Sequence, residues 1–135
     1  MTTTFSVPQF STARRAPVRS EVVAHGITTT CLAGESTLPA GLDRADLLRL
    51  GFTAKAGQIQ IVPVDNRLLA AVGLGDVESL SNDGLRRTAA ALSRAVRGHR
   101  SLATDLASVA AAAGGPVELE GVAAIIEGLS LALYR

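Results

Sequence analysis

Three side chains of this sequence are of the types that most often bind metals or act as nucleophiles: His25, His99 and Cys31. A zinc site needs three or four such ligands at a recognisable local spacing, and no further ligand stands near His25 and Cys31 in the sequence. A cysteine within an apolar strand is usually a small core residue rather than a nucleophile. The sequence therefore predicts no catalytic, cofactor-binding or metal-binding residue in this chain.

Two carboxylates, Glu118 and Glu120, are close enough in sequence to suggest an acid–base pair. Residues two positions apart on a helix point about 200° apart, so these two cannot converge on one substrate if the helix has begun there. Acidic residues in the first turn of a helix interact favourably with the helix dipole. We therefore interpret both as residues that stabilise a helix N-terminus.

The Gly73-Leu74-Gly75 step could begin a loop that binds phosphate through backbone amides. A G-x-G step alone is a weak signal, because glycines are also needed where a chain turns from a strand into a helix. Asp76 and Glu78 follow the step and would repel a phosphate. We therefore interpret the glycines as a turn.

Four arginines form the candidate contact surface of this chain. On a helix they fall on an arc about 100° wide, turned away from the apolar stripe of the same helix. We call these residues the arginine face: Arg86, Arg87, Arg94 and Arg97. The face suits a solvated helix surface, a contact with another domain or subunit, or a patch for nucleic-acid phosphates. The formal net charge of +1 and the 3% aromatic content argue against nucleic acid as a partner.

Length and composition are those of one globular domain. The 135 residues can bury a core of their own, and 47% of them are hydrophobic. A single unpaired cysteine fits a reducing compartment, and the polar N-terminus lacks the apolar segment of a secretory signal. No apolar run reaches the roughly 18 residues that a membrane span requires. The sequence therefore predicts a cytoplasmic protein with no membrane partner.

Strands and helices are predicted to alternate after a lead-in over residues 1–20, which is either flexible or an edge strand. The density of β-branched residues predicts a strand at 21–30, and the apolar spacing predicts a helix at 82–97. The residues that this helix should bury are Leu85, Ala89, Leu92 and Val96.

The remaining predicted elements are a helix at 43–50, a hairpin of strands at 58–64 and 67–74, a strand at 101–106, and a final helix that has Pro116 in its first turn. Residues 107–113 suit either a helix or a linker. This order predicts an α/β fold, a mixed β-sheet flanked by helices, in a single domain over residues 21–135.

Three segments of the chain have a recognisable order and spacing: Val-Gly-Leu-Gly-Asp at 72–76, an Arg/Ala-rich helix at 85–91, and a final helix at 122–135. The final helix contains Glu127-Gly128 and closes with Tyr134-Arg135, although Ile126 stands where a small residue is usual. From about residue 50 to residue 135, the chain resembles the N-terminal domain of the leucine aminopeptidase family.

This resemblance implies a macro-domain-like fold and a non-catalytic N-terminal domain of a di-metal cytosolic leucyl aminopeptidase. The family's catalytic machinery lies in a separate C-terminal domain, where two divalent metals, zinc or manganese, polarise the peptide carbonyl and activate water. The implied partners are the chain's own catalytic domain and the other subunits of a homo-hexamer. The alternative is a free-standing macro-like module that binds a nucleotide such as ADP-ribose.

Overall fold

Four strands form one mixed sheet in the computed structural model, which describes residues 21–34, 37–64, 66–99 and 101–133. They are β1 (Val22–Thr28), β2 (Ile59–Val64), β3 (Arg67–Gly75) and β4 (Leu102–Thr104), in the order β2-β3-β1-β4. Strand β1 pairs in parallel with both β3 and β4, whereas β2 pairs antiparallel with β3. The predicted lead-in over 1–20 lies outside the described residues.

Helices cover both faces of the sheet. They are α1 (Thr29–Ala33), α2 (Arg44–Arg49), α3 (Asn82–Ala95), α4 (Leu106–Ala112) and α5 (Glu118–Leu133), with short 3-10 turns at Pro39–Gly41 and Val77–Ser79. Helices α1 and α2 pack on one face, and α3, α4 and α5 pack on the other. The predicted α/β fold with a mixed sheet is confirmed. None of the described helices is both long and apolar enough to cross a membrane.

The central strand β1 is buried on both sides because its apolar residues alternate between the two layers. Val22 and Ala24 belong to the core under α3, α4 and α5, whereas Val23 and Ile27 belong to the core under α1 and α2. All four are at most 4% exposed. A parallel strand covered on both faces carries apolar residues on both of its sides. The β-branched residues among them are what made the strand predictable.

The predicted hairpin is present, with Val64 opposite Arg67 in an antiparallel register. Of the described strands, β2 and β4 are the outer ones, and the exposed Pro63 lies in β2. Along an antiparallel ladder, residues that hydrogen-bond to the neighbouring strand alternate with residues that do not. Counting from the Val64–Arg67 pair beside the turn, Pro63 is a residue whose nitrogen points away from β3. The missing N–H of proline is tolerated here because β2 is an outer strand of the described sheet.

Helix α3 forms where its spacing predicts it. The Ser81 hydroxyl accepts a hydrogen bond from the Gly84 amide at 3.0 Å and so caps the first turn. The four residues of its predicted apolar stripe are all buried: Leu85, Ala89, Leu92 and Val96.

The end of the first predicted strand and the start of the final helix differ from the structure, which also assigns the segment that the sequence leaves undecided. The strand predicted to reach residue 30 ends at Thr28, whose hydroxyl caps α1 by accepting from the Cys31 amide at 3.1 Å. The undecided segment 107–113 lies largely in α4. The final helix begins at Glu118, so Pro116 precedes it instead of lying in its first turn.

Helix α5 packs closely on α3 at a glycine. A Cβ on Gly128 would overlap the carbonyl oxygen of Arg86 and lie 2.9 Å from the Cβ of Ala89. In α5, Ile125 is buried together with smaller residues. These smaller residues are Gly121, Ala124 and Gly128.

An ion pair lies beside this close contact. Arg86 Nε donates to Glu127 Oε2 at 2.6 Å, and the same guanidinium also pairs with Asp83, one turn earlier in α3. The hydrogen bond to Glu127, followed by the one to Asp83, raises the pKa of Arg86 above its ordinary value. The adjacent residues Glu127 and Gly128 therefore act together, one by pairing with α3 and the other by letting its backbone approach.

We expect Gly128→Ala to lower the free energy of unfolding by about 1–3 kcal/mol, because the added methyl group forces α5 away from α3. The control is Gly121→Ala in the same helix, whose Cβ would lie 3.4 Å from its nearest neighbours, Ala107 and Leu85. This control should be neutral or gain up to about 1 kcal/mol from helix propensity. Urea denaturation followed by circular dichroism measures both, and equal effects would contradict the proposed close contact.

Candidate functional site

A cleft opens at the carboxyl ends of the two central parallel strands. Thr28 at the end of β1 is in register with Gly75 at the end of β3. The helix after β1 packs on one face of the sheet, whereas α3, after β3, packs on the other. Such a reversal leaves a crevice outside the strand ends, which is where open α/β sheets usually bind ligands.

The cleft has a volume of about 560 Å³ and a mixed lining. Its charged residues are Lys55, Asp76 and Arg87; its hydroxyl residues are Thr29, Thr53, Ser79, Ser81 and Thr88; its larger apolar residues are Leu74, Leu80 and Leu85. The Thr29 hydroxyl donates to Asp76 Oδ1 at 2.6 Å and so connects the segments that follow β1 and β3. Both signs of charge and an apolar wall therefore lie in one cleft.

The glycines at the end of β3 contact the protein's own backbone. A Cβ on Gly73 would overlap the Lys55 carbonyl oxygen, and Gly75 has a φ of +76°. Their amides are already hydrogen-bonded, Gly73 to the Gln58 carbonyl at 2.8 Å and Gly75 to the Ala54 carbonyl at 2.9 Å. These two amides are therefore not available to a phosphate. Gly75 ends β3 in a turn conformation, as predicted, whereas Gly73 lies within the strand, where the close approach of the Lys55 carbonyl requires a glycine.

The arginine face divides into two parts in the structure. Arg86 lies between α3 and α5 in its ion pairs with Asp83 and Glu127. The other three, Arg87, Arg94 and Arg97, are exposed, and no carboxylate within the described ranges pairs with them. Arg87 also lines the cleft, so the face is continuous with it.

His25 and Cys31 take part in different local structures. His25 Nδ1 lies 2.8 Å from Asp105 Oδ2, and the Gly26 amide donates to Asp105 Oδ1 at 2.8 Å. The His25 side chain is 14% exposed, and its Nε2 is buried without a partner. Cys31 packs in the core formed with α1 and α2. Asp105 thus ties β1 to the turn before α4, a role that its sequence position did not signal.

The other chemically capable side chains stay apart. His99 Nδ1 lies 3.1 Å from Glu21 Oε2 in an exposed pair, and Glu118 and Glu120 are both exposed in the first turn of α5. In the part of the chain that the structure describes, no three His, Cys, Asp or Glu side chains cluster in a way that could hold a metal ion.

Comparison with known proteins gives one family. Residues 45–135 match the family model described as the N-terminal domain of the cytosol aminopeptidase family. A probable cytosol aminopeptidase of Corynebacterium diphtheriae is 30% identical over 93 residues, which cover 66% of this chain and 16% of that protein. Another, from Rhodococcus erythropolis, is 30% identical over 111 residues, which cover 73% of this chain and 22% of that protein.

The fold has solved counterparts. The bottromycin maturation enzyme BotP in complex with Mn superposes with a TM-score of 0.68 at 35% identity, over 86% of this chain and 23% of that one. A second structure of BotP gives the same TM-score and identity and covers 24% of that chain. This chain thus spans less than a quarter of the length of the relatives that it matches. Since the family match covers more than half of the sequence, the chain belongs to the cytosol aminopeptidase family and corresponds to its N-terminal domain.

Proposed function

We propose that this chain is the non-catalytic N-terminal domain of a cytoplasmic di-metal leucyl aminopeptidase. The observation that carries the proposal is the match of residues 45–135 to the N-terminal domain of that family, in a chain that corresponds to only 16–22% of its curated relatives. The parent enzyme releases N-terminal amino acids from peptides. The catalytic domain would hold two zinc or manganese ions, which would polarise the peptide carbonyl and activate water.

The role of this domain is to support the catalytic domain and the assembly of subunits into a homo-hexamer. The exposed arginines of α3 support this role. Arg87, Arg94 and Arg97 have no carboxylate partner within the described part of the chain. Guanidinium groups left unpaired on a rigid helix are suited to carboxylates of a neighbouring domain or subunit, with which they form bidentate hydrogen bonds.

The rival function, a free-standing macro-like module for ADP-ribose, has less support. Such a module needs backbone amides for the pyrophosphate, but those of Gly73 and Gly75 already donate to Gln58 and Ala54. Stacking an adenine needs aromatic side chains, which are 3% of this sequence. Nucleic acid is disfavoured as a partner for the same shortage of aromatics.

We expect the isolated chain not to hydrolyse leucine p-nitroanilide, with or without added zinc or manganese. A two-metal site needs several carboxylate or imidazole ligands within a few ångströms of one another. A chromogenic assay over a range of protein concentrations provides the measurement. Metal-dependent turnover that disappears on His25→Ala or Cys31→Ser would contradict the non-catalytic assignment.

The assembly role is testable in a chimera, in which this chain replaces the aligned segment of the Rhodococcus erythropolis relative. Joint reversal of Arg87, Arg94 and Arg97 to glutamate should weaken subunit assembly at least about tenfold, because like charges then face each other. The control is Arg49→Glu in helix α2, which packs on the other face of the sheet. Size-exclusion chromatography with light scattering measures assembly. If the triple variant assembles like the control, the arginine face is only a solvated surface.

Calorimetry with ADP-ribose tests the rival function. We expect no binding tighter than about 1 mM, which corresponds to about −4 kcal/mol. Gly75→Ala should cost about 1–2 kcal/mol of stability, because the residue has a left-handed conformation and the new methyl group would lie 3.2 Å from the Ala56 Cβ. A micromolar dissociation constant, weakened by a bulky residue at Gly75, would favour the binding module instead.

A further inference from the structure

We propose that the cleft at the ends of β1 and β3 binds a free α-amino acid with an aliphatic side chain. The cleft lies where the helices that follow two adjacent parallel strands pack on opposite faces of the sheet. Its lining carries separate groups for a carboxylate, for an ammonium and for an apolar side chain. An α-amino acid is the smallest ligand that uses all three.

The carboxylate end of the ligand is recognised by Lys55 and Arg87. Both line the cleft, and neither forms an ion pair with another described residue. The N-terminus of α3, a helix of 14 residues, opens onto the same space and adds a favourable dipole.

A hydroxyl in the lining adds a hydrogen-bonding group at this end of the cleft. Thr88 lines the cleft beside Arg87 on the same helix. A threonine hydroxyl can donate a hydrogen bond to a carboxylate oxygen.

The ammonium end of the ligand is recognised by Asp76. This carboxylate lines the cleft, accepts from the Thr29 hydroxyl at 2.6 Å, and pairs with no described cation. The hydrogen bond fixes Asp76 at the end of β3, opposite the end of β1, and leaves its other oxygen for the ligand. The same acid that disfavours a phosphate therefore favours a zwitterion, because an ammonium group pairs with it.

The apolar part of the lining recognises the side chain of the ligand. Leu74, Leu80 and Leu85 line the cleft together with Ala56, and the cleft has no aromatic residue in its lining. This surface buries an aliphatic group and does not stack a nucleobase. The volume of about 560 Å³ exceeds what one amino acid fills, so binding should be weak and reversible.

The parent enzyme would itself release free amino acids. Its product would therefore bind in the cleft of the domain that supports assembly. That link rests on the proposed function, whereas binding to this chain does not. Peptidase activity of the chimera and amino-acid binding to the 135-residue chain are separate measurements, and either can fail while the other succeeds.

Calorimetry on the 135-residue chain tests the proposal with L-leucine and two analogues, 4-methylpentanoate without the ammonium group and 3-methylbutylamine without the carboxylate. We expect a dissociation constant for leucine of about 1 mM and binding of each analogue at least about tenfold weaker. Arg87→Gln and Asp76→Asn should each weaken leucine binding about tenfold, because each removes one charge pair. Arg94→Gln, on the same helix outside the cleft, is the control and should change nothing.

Three outcomes would overturn the proposal. Equal binding of leucine and 4-methylpentanoate would reduce the cleft to an anion site, and equal binding of leucine and 3-methylbutylamine would reduce it to a cation site. Leucine binding that is absent, or unaffected by both variants, would show that the cleft is not an amino-acid site.

Since Arg87 is exposed on α3, Arg87→Gln should keep its fold, which circular dichroism verifies. Lys55→Gln provides a second variant on another segment.

Discussion

Gly128 brings the backbone of α5 against that of α3 more closely than any residue with a Cβ would allow. The position of α3 follows from this contact on one side and from burial of Leu85 and Leu92 against the sheet on the other. Because the N-terminus of α3 forms one wall of the cleft, the cleft depends on a contact made at the far side of the same helix. The exposed Arg86–Glu127 pair lies beside this contact and links one residue of each helix.

Neighbouring residues of α3 have opposite roles because the helix turns about 100° from one to the next. Arg86 faces α5 and is held by Glu127 and Asp83, whereas Arg87 faces solvent and the cleft. A sequence pattern places both on one basic arc. Only the position of α5, set by contacts about forty residues further along the chain, separates the structural arginine from those that can meet a partner.

Local signals made much of the fold predictable. Strand β1 followed from its β-branched residues, α3 from its apolar spacing, and the hairpin from the two residues between its strands. Contacts between residues far apart in the sequence could not be predicted. The link between His25 and Asp105 joins residues 80 positions apart, and the small residues of α5 reveal their role only once α3 lies against them. The four arginines of the arginine face could be identified from the sequence, but it did not reveal that Arg86 pairs within the domain while the other three are exposed.

Pro63 on the outer strand β2 has a consequence for the behaviour of this domain at high concentration. The outer edge of a sheet offers unpaired amides and carbonyls to any extended segment, including the same strand of another molecule. Because Pro63 lacks an N–H on the side directed away from β3, a strand that adds there meets a gap in the hydrogen-bond ladder. The β2 edge therefore resists pairing with an extended segment of another molecule, even though its other amides and carbonyls lie at the rim of the described sheet.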